Sequence, residues 1–267
     1  MNGVPFVLPV VLVTMAVGCA SPRAARDISP PGTGPRSSAE AKKLVAEADR
    51  LYREPRTASS VEASLTSAKR AVLENDALGA RWRAMRACCW LAQYHPDEDA
   101  RLRYAQEGVA IGEEAVATAP SGPEPYFYHA LNIGLLCDIT GSGLFRIGTM
   151  RALAEKVIAI DPLYDHGGGH RFLGILCYRT ASIPLFAAGT AEEGRAHLEK
   201  ALEHFPDYGR NLLSLAEYHL HVEEPERARP YLKRLLESPV PEDESAEHAE
   251  WLEKGRRHLE EIEEAEG

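Results

Sequence analysis

Cysteine is scarce in this sequence. There are five in 267 residues and no CxxC pair, which excludes a disulfide-stapled scaffold and offers no zinc-site spacing. A cationic excess is also missing. Lys and Arg number 30 against 40 Asp and Glu, a net charge of −10, so the footprint of a dedicated nucleic-acid binder is absent. No HExxH or GxSxG string occurs, and with them go the usual metalloprotease and serine-hydrolase patterns. Alternating strand patterns are lacking, and only one long apolar run is present. What remains is 45% hydrophobic and 26% charged, the composition of a globular chain.

The apolar run spans residues 4–17 (VPFVLPVVLVTMAV). As a helix it would reach about 21 Å, short of the roughly 30 Å hydrocarbon core of a bilayer. Its length suits the apolar region of a signal peptide. It ends in Ala16-Val17-Gly18-Cys19-Ala20-Ser21, and small residues before a cysteine resemble the lipobox of bacterial lipoproteins. The resemblance implies a signal peptide over 1–18 and a lipid anchor on Cys19, although residues 1–18 contain no Lys or Arg. Ala20 stands where Asp marks inner-membrane retention in enterobacterial lipoproteins, so the resemblance implies an outer-membrane address facing the periplasm. Residues 19–37, rich in Pro, Gly, Ser and Ala, read as the lipidated cysteine and a flexible tether.

From Ser38 onward helix formers dominate and breakers recur. The pattern predicts helices over 38–53, 60–75, 77–94, 98–118, 123–139, 144–160, 169–180, 190–204, 208–222, 225–237 and 244–265. Asp97 before Glu98 and Asp99, and Pro225 at a first helical position, are start signals. A repeat is visible. Ala71/Asp76, Ala115/Pro120, Val157/Pro162 and Ala201/Pro206 each pair a small or apolar residue with a breaker five positions on, at intervals of 44, 42 and 44 residues. Trp82, Tyr126 and Leu212 follow three of these breakers by six residues. Leu173-Gly174, Leu198, Ala201 and Pro206, then Leu212, Leu215-Ala216, Ala228, Leu232 and Leu235, resemble the tetratricopeptide repeat, a helix pair per unit. The implied fold class is all-α: a solenoid of about five helix pairs over 38–241, closed by an acidic capping helix over 242–267. Gly174, Ala130, Ala216 and Ala228 are expected where a larger side chain would push neighbouring helices apart, and each pair must stack on the next to bury its apolar stripe.

The units before the last exceed the usual 34 residues by about eight to ten, and the excess falls between the two helices of a pair. It comprises residues 140–148 and 181–189. Leu144, Phe145, Ile147, Ile183, Leu185 and Phe186 are therefore candidates for one apolar cluster along an edge. Such a cluster either enlarges the core or offers a surface to a partner or ligand.

The string from Asp161 to Gly174 contains Gly167-Gly168-Gly169-His170-Arg171. The glycines are expected to permit close helix approach. An anion site with Arg171, or a metal site with Asp165, His166 and His170, is the weaker alternative, because flexible glycines fix no ligand geometry. Gly167, Gly168, His170, Arg171, Leu173, Gly174, Pro184, Gly189, Leu198, Lys200, Ala201, Pro206, Asn211, Leu215, Ala216 and Glu217 resemble the T component of TRAP-transporter-associated lipoproteins. That family implies a periplasmic substrate-binding protein as partner, homo-oligomerisation and a hydrophobic channel or groove. His170 and Arg171 join the interaction candidates on this ground.

No constellation points to catalysis, a metal or another cofactor, and the expectation is a non-enzymatic protein-interaction adaptor. A carrier of a small hydrophobic ligand is the alternative. The histidines, His197, His204 and His219 among them, are expected to face solvent. Cys88, Cys89, Cys137 and Cys177 sit in apolar helical surroundings, and the three pairings open to them are not distinguished by spacing. Residues 242–267 carry eleven acidic residues against Lys254, Arg256 and Arg257. That tail holds −8 of the net −10. Its Trp251, Leu252, His258, Leu259 and Ile262 are expected to face inward and its acids outward, as solubility of a terminal cap requires.

Overall fold

The computed structural model describes residues 38–53, 56–74, 77–183 and 185–266. The signal-peptide, Cys19-anchor and tether expectations on 1–37 lie outside the described residues, as do Asp76 and Pro184.

The described residues form eleven α-helices and no strand. Five hairpins follow one another: α1 (Ser38–Arg53) with α2 (Ala58–Leu73), α3 (Ala77–Tyr94) with α4 (Glu98–Ala117), α5 (Glu124–Thr140) with α6 (Ile147–Ile160), α7 (Tyr164–Thr180) with α8 (Ala191–His204), and α9 (Gly209–His221) with α10 (Pro225–Leu236). A final helix, α11 (Ser245–Glu266), completes the array. Most limits fall within two residues of those expected from the breakers. Capping chemistry sets several starts. The Asp97 carboxylate accepts from the Ala100 amide at 3.0 Å, and Thr190 and Glu193 exchange side-chain and backbone bonds at 3.1 and 2.9 Å, which satisfies two amides that lack partners within the helix.

One expected limit differs, at the first inserted segment, and one helix carries a turn ahead of it that the pattern did not foresee. Residues 144–146 form a separate 3-10 turn before α6. The glycine helix proper begins at Gly168, one residue from the expected 169, and is preceded from Tyr164 by a turn in which Asp165, His166 and Gly167 are left-handed, with φ of 51°, 53° and 76°. Left-handed backbone costs an ordinary residue roughly 1–2 kcal/mol, so something must hold this turn. Arg171 does so. Its guanidinium donates to the carbonyls of Asp165 and His166 at 3.2–3.3 Å and to Asn211 Oδ1 at 2.9 Å, and it pairs with the Asp165 carboxylate at 2.6 Å. Asn211 also donates to the His166 carbonyl at 3.1 Å, and the His166 ring stacks on Tyr208.

Each helix packs on the next, and α1, α3, α5, α7, α9 and α11 also form an inner layer, with contacts between α1 and α3, α3 and α5, α7 and α9, and α9 and α11. The even-numbered helices form the outer layer. Between α5 and α7 the backbones approach less closely, and side chains bridge them: Phe127 lies edge to face against Tyr164. The glycine run works as expected: a Cβ on Gly167 would lie 3.1 Å from the Ala201 backbone, on Gly168 2.8 Å from Phe127, and on Gly169 2.9 Å from Val157. Ala130, Ala216 and Ala228 are fully enclosed. Trp251 and Ile262 of α11 enter the core beside Leu232 and Leu235, with Leu252 and Leu259 packed against it.

Candidate functional site

An inner helix of a solenoid carries two usable faces. One packs on its outer partner, and the other looks into the concavity. Here that second face lines a cleft of about 510 Å³. Arg86, Trp90, Gln93 and Tyr94 come from α3, Tyr128 and Leu131 from α5, Phe172 and Ile175 from α7, and Tyr208 and Arg210 flank the start of α9. The helical spacing of Arg86, Trp90 and Gln93 places them on one face.

The cleft is polar as well as aromatic. Arg86 lies over the Tyr52 ring at 4.0 Å and pairs with Asp49 at 2.9 Å, yet its buried Nε has no hydrogen-bond partner among the described residues. Arg171 faces the cleft, with its donors taken by the left-handed turn.

The segment leading into α11 crosses this cleft. Arg56, in the loop after α1, pairs with Glu247 at 2.9 Å and donates to the Asp243 carbonyl. The Tyr94 hydroxyl donates to Glu250 at 2.8 Å, and Tyr208 to Glu244 at 2.9 Å. The first hairpins are thus joined to the last helix. This corrects the expectation of a purely outward acidic face: the Glu247 side chain is only 14% exposed, because Arg56 lies against it. Burial, then the neighbouring Glu250 carboxylate, pushes the Tyr94 hydroxyl up from its ordinary value. Burial, then Asp165, pushes the Glu244 carboxyl up.

A second cavity of about 530 Å³ continues from the first. It is lined by the later turns of α5 and α7 and by the inserted segment before α6. Leu131, Leu135, Ile147, Ile175 and Leu176 make its wall aliphatic, and Gln93, Leu131 and Arg210 line both cavities.

The expected site residues divide. Leu144, Ile147 and Ile183 line the aliphatic cavity, and Ile147 is also core. Phe145 and Phe186 meet edge to face, ring centroids 5.5 Å apart, with Phe145 90% exposed and Phe186 packed against the core. Leu185 stands 99% exposed. The insertions therefore enlarge the core and leave an apolar rim. His170 is absent from both cavity linings. It is buried between α7 and α8 with Nδ1 2.9 Å from His197 Nδ1, and burial followed by His197 and Lys200 lowers its pKa to about 4. His219 is also buried, at 2.9 Å from Glu224 and stacked on Tyr231, against the expectation of a solvent-facing ring. Cys88, Cys89, Cys137 and Cys177 are free thiols.

The concave residues Tyr52, Arg86, Gln93, Tyr94, Tyr128 and Arg210 were not among the expected site residues. Their signal was a second stripe on α3 and α5 left over once the core stripe is assigned. Among the described residues no group of three or more His, Cys, Asp and Glu side chains is placed to hold a metal, and no helix is long and apolar enough to cross a membrane.

A family model described as Regulator of microtubule dynamics protein 1-3 matches residues 44–260. No curated protein gives a significant match. Among solved structures, a thermophilic TPR protein of Thermus thermophilus is similar at 19% identity and a TM-score of 0.58, over 79% of this chain and 98% of that one. At that identity the likeness is one of fold, and the fold is that of tetratricopeptide arrays.

Proposed function

The chain belongs to the Regulator of microtubule dynamics protein 1-3 family, and from that premise we propose that it is a non-enzymatic adaptor which holds a partner protein in its concave face. The family's description ties its named members to microtubule dynamics; what this chain is taken to share with them is the helical array. The observation that carries the proposal is the joined pair of cavities, one aromatic and charged, the other aliphatic, lined by the inner helices. Aromatic and arginine side chains are the usual anchors of protein interfaces, and here several converge in one concavity.

The resemblance around residues 167–217 makes a periplasmic substrate-binding protein of a TRAP-type system the first partner to test. A lipid on Cys19 would hold the array at the periplasmic face of the outer membrane, with the residues up to 37 as its reach.

The test separates groove from rim. Leu131→Arg introduces a charge where the two cavities meet. Phe145→Ser with Leu185→Ser removes the exposed rim instead. In quantitative co-purification, the groove variant is expected to lose at least tenfold of the partner that wild type retains, while the rim variant keeps it. Circular dichroism must show both folded. Loss confined to the rim variant contradicts the groove assignment.

A second reading rests on the aliphatic cavity alone, whose wall suits a small hydrophobic ligand. Native mass spectrometry of residues 38–267 showing a retained apolar mass would favour it.

A further inference from the structure

The chain enters α11 without apolar packing. Of residues 237–250 only His248 is buried. The apolar anchors of the helix begin at Trp251 and continue through Leu252, Leu259 and Ile262. Yet Glu242, Asp243, Glu244 and Glu247 all line the charged cleft. Three polar grips hold them there. Arg56 pairs with Glu247 at 2.9 Å and donates to the Asp243 carbonyl, and the Tyr208 hydroxyl donates to Glu244 at 2.9 Å. Both gripping residues come from other parts of the array, Arg56 from the loop after α1 and Tyr208 from just before α9.

We infer that residues 242–247 are a latch, a segment of this chain that takes up part of the charged cleft and must let go before a partner can enter. This rests on the adaptor reading and adds how access to the same cleft is controlled. Three features make the segment releasable. Detaching it uncovers no buried apolar side chain, because the hydrophobic contribution that holds α11 to the array starts beyond it. Its base is already closed: Ser238 Oγ lies 3.0 Å from His248 Nε2, and the His248 ring meets Trp251 edge to face. The loop between them can therefore swing out while α10 and the rest of α11 stay in place, as compact loops with joined ends allow. It contains only a non-helical connection, with Asp243 left-handed at φ 62°, and the first turn of a helix, which opens locally far more easily than a core does. The fit of charge is also imperfect. Glu244 stands in the field of Asp165 and Glu247 as well as that of Arg171, and burial, then Asp165, pushes its carboxyl up.

The test uses the full chain and the thiol of Cys89, which is buried and lines the cleft. N-ethylmaleimide is added, and modification of each cysteine is followed by peptide mass spectrometry. Thiol reactivity follows access. Cys88 and Cys177 are buried outside the cleft lining and report any general unfolding. In the wild type Cys89 should react slowly. Arg56→Glu sets like charge against Glu247 and should raise the Cys89 rate at least tenfold, with Cys88 and Cys177 unchanged. Adding Glu247→Arg reverses the pair and should bring the rate back to within threefold of wild type. Tyr208→Phe keeps the ring, loses one grip and should give a smaller rise. Two results overturn the inference: a Cys89 rate that Arg56→Glu leaves unchanged, or all three thiols accelerating together, which would make the segment part of the general fold. Partner access is read in cells from a benzophenone amino acid at Gln93. The crosslinked species should rise at least threefold in Arg56→Glu and fall back in the charge-reversed pair. Equal crosslinking in all three proteins overturns the latch and leaves the adaptor reading standing. An unmasked Cys89 with no crosslinked species in any of them contradicts the adaptor reading, not the opening of the segment.

Discussion

Replacing Arg171 with methionine is expected to lower the free energy of unfolding by about 3–5 kcal/mol, the range for removing one partner of a buried ion pair. The Arg171 side chain is 9% exposed and that of Asp165 28%. Methionine fills a similar volume but provides none of the donors that Arg171 gives to Asp165, His166 and Asn211. Two ordinary residues then stand in a left-handed turn with its main clamp gone. Urea denaturation followed by circular dichroism measures the effect. The midpoint should fall with little change in slope, because the surface exposed on unfolding is nearly the same. Arg171→Lys should lose less, since it keeps the charge but not the planar fork. A loss under about 1 kcal/mol for the methionine variant would show that the turn is held by other means.

Alanine at Gly194 is expected to destabilise even though alanine is the better helix former by about 1 kcal/mol. Direction is decided by what a Cβ would meet. On Gly194 it would lie 2.8 Å from the Gly174 carbonyl oxygen and 3.0 Å from the Tyr178 amide nitrogen, and a Cβ on Gly174 would lie 2.8 Å from the Gly194 carbonyl oxygen. These are backbone atoms, so no rotamer change relieves the clash. α7 and α8 must separate, and overpacking of this kind costs about 1–3 kcal/mol. The propensity gain offsets only part of that, and the net loss should reach about 2 kcal/mol by the same denaturation measurement. Gly148 is the counterpart. A Cβ there meets nothing within 4 Å, and Gly148→Ala should be neutral or stabilising by up to about 1 kcal/mol. If both substitutions behave alike, close backbone approach is not what selects glycine at 194.

The helices were legible in the sequence because their punctuation is local. Asp97, Thr190 and Pro225 act within one turn, and the recurring breakers set the unit length. Gly174 was legible because a tight helix pair needs a small residue. The left-handed turn was not. Asp165 and His166 are ordinary residues there, and what holds them is largely Arg171 and Asn211, the latter brought by another helix. The link between the two ends was equally hidden. Tyr94 meets Glu250 and Arg56 meets Glu247, contacts that only the curvature of the array creates. The acidic tail was visible as composition, whereas the placement of Glu244 and Glu247 in the cleft depends on the path of the chain between α10 and α11. The insertions drew attention to Phe145 and Leu185 as an edge patch. Their larger structural correlate is the aliphatic cavity between α5 and α7, which Leu144, Ile147 and Ile183 help to line.

Site-specific photocrosslinking tests the concave assignment most directly. A benzophenone amino acid at Gln93, where the two cavities meet, is compared in intact cells with the same probe at Glu199, on the outer surface of α8, and at Phe145 on the apolar rim. A groove-bound partner predicts a discrete crosslinked species from position 93 that is absent from 199 and 145 and is lost when Leu131→Arg is added. Crosslinking of the same partner from 199 or 145, with none from 93, would contradict the claim that the concave face is where this protein does its work.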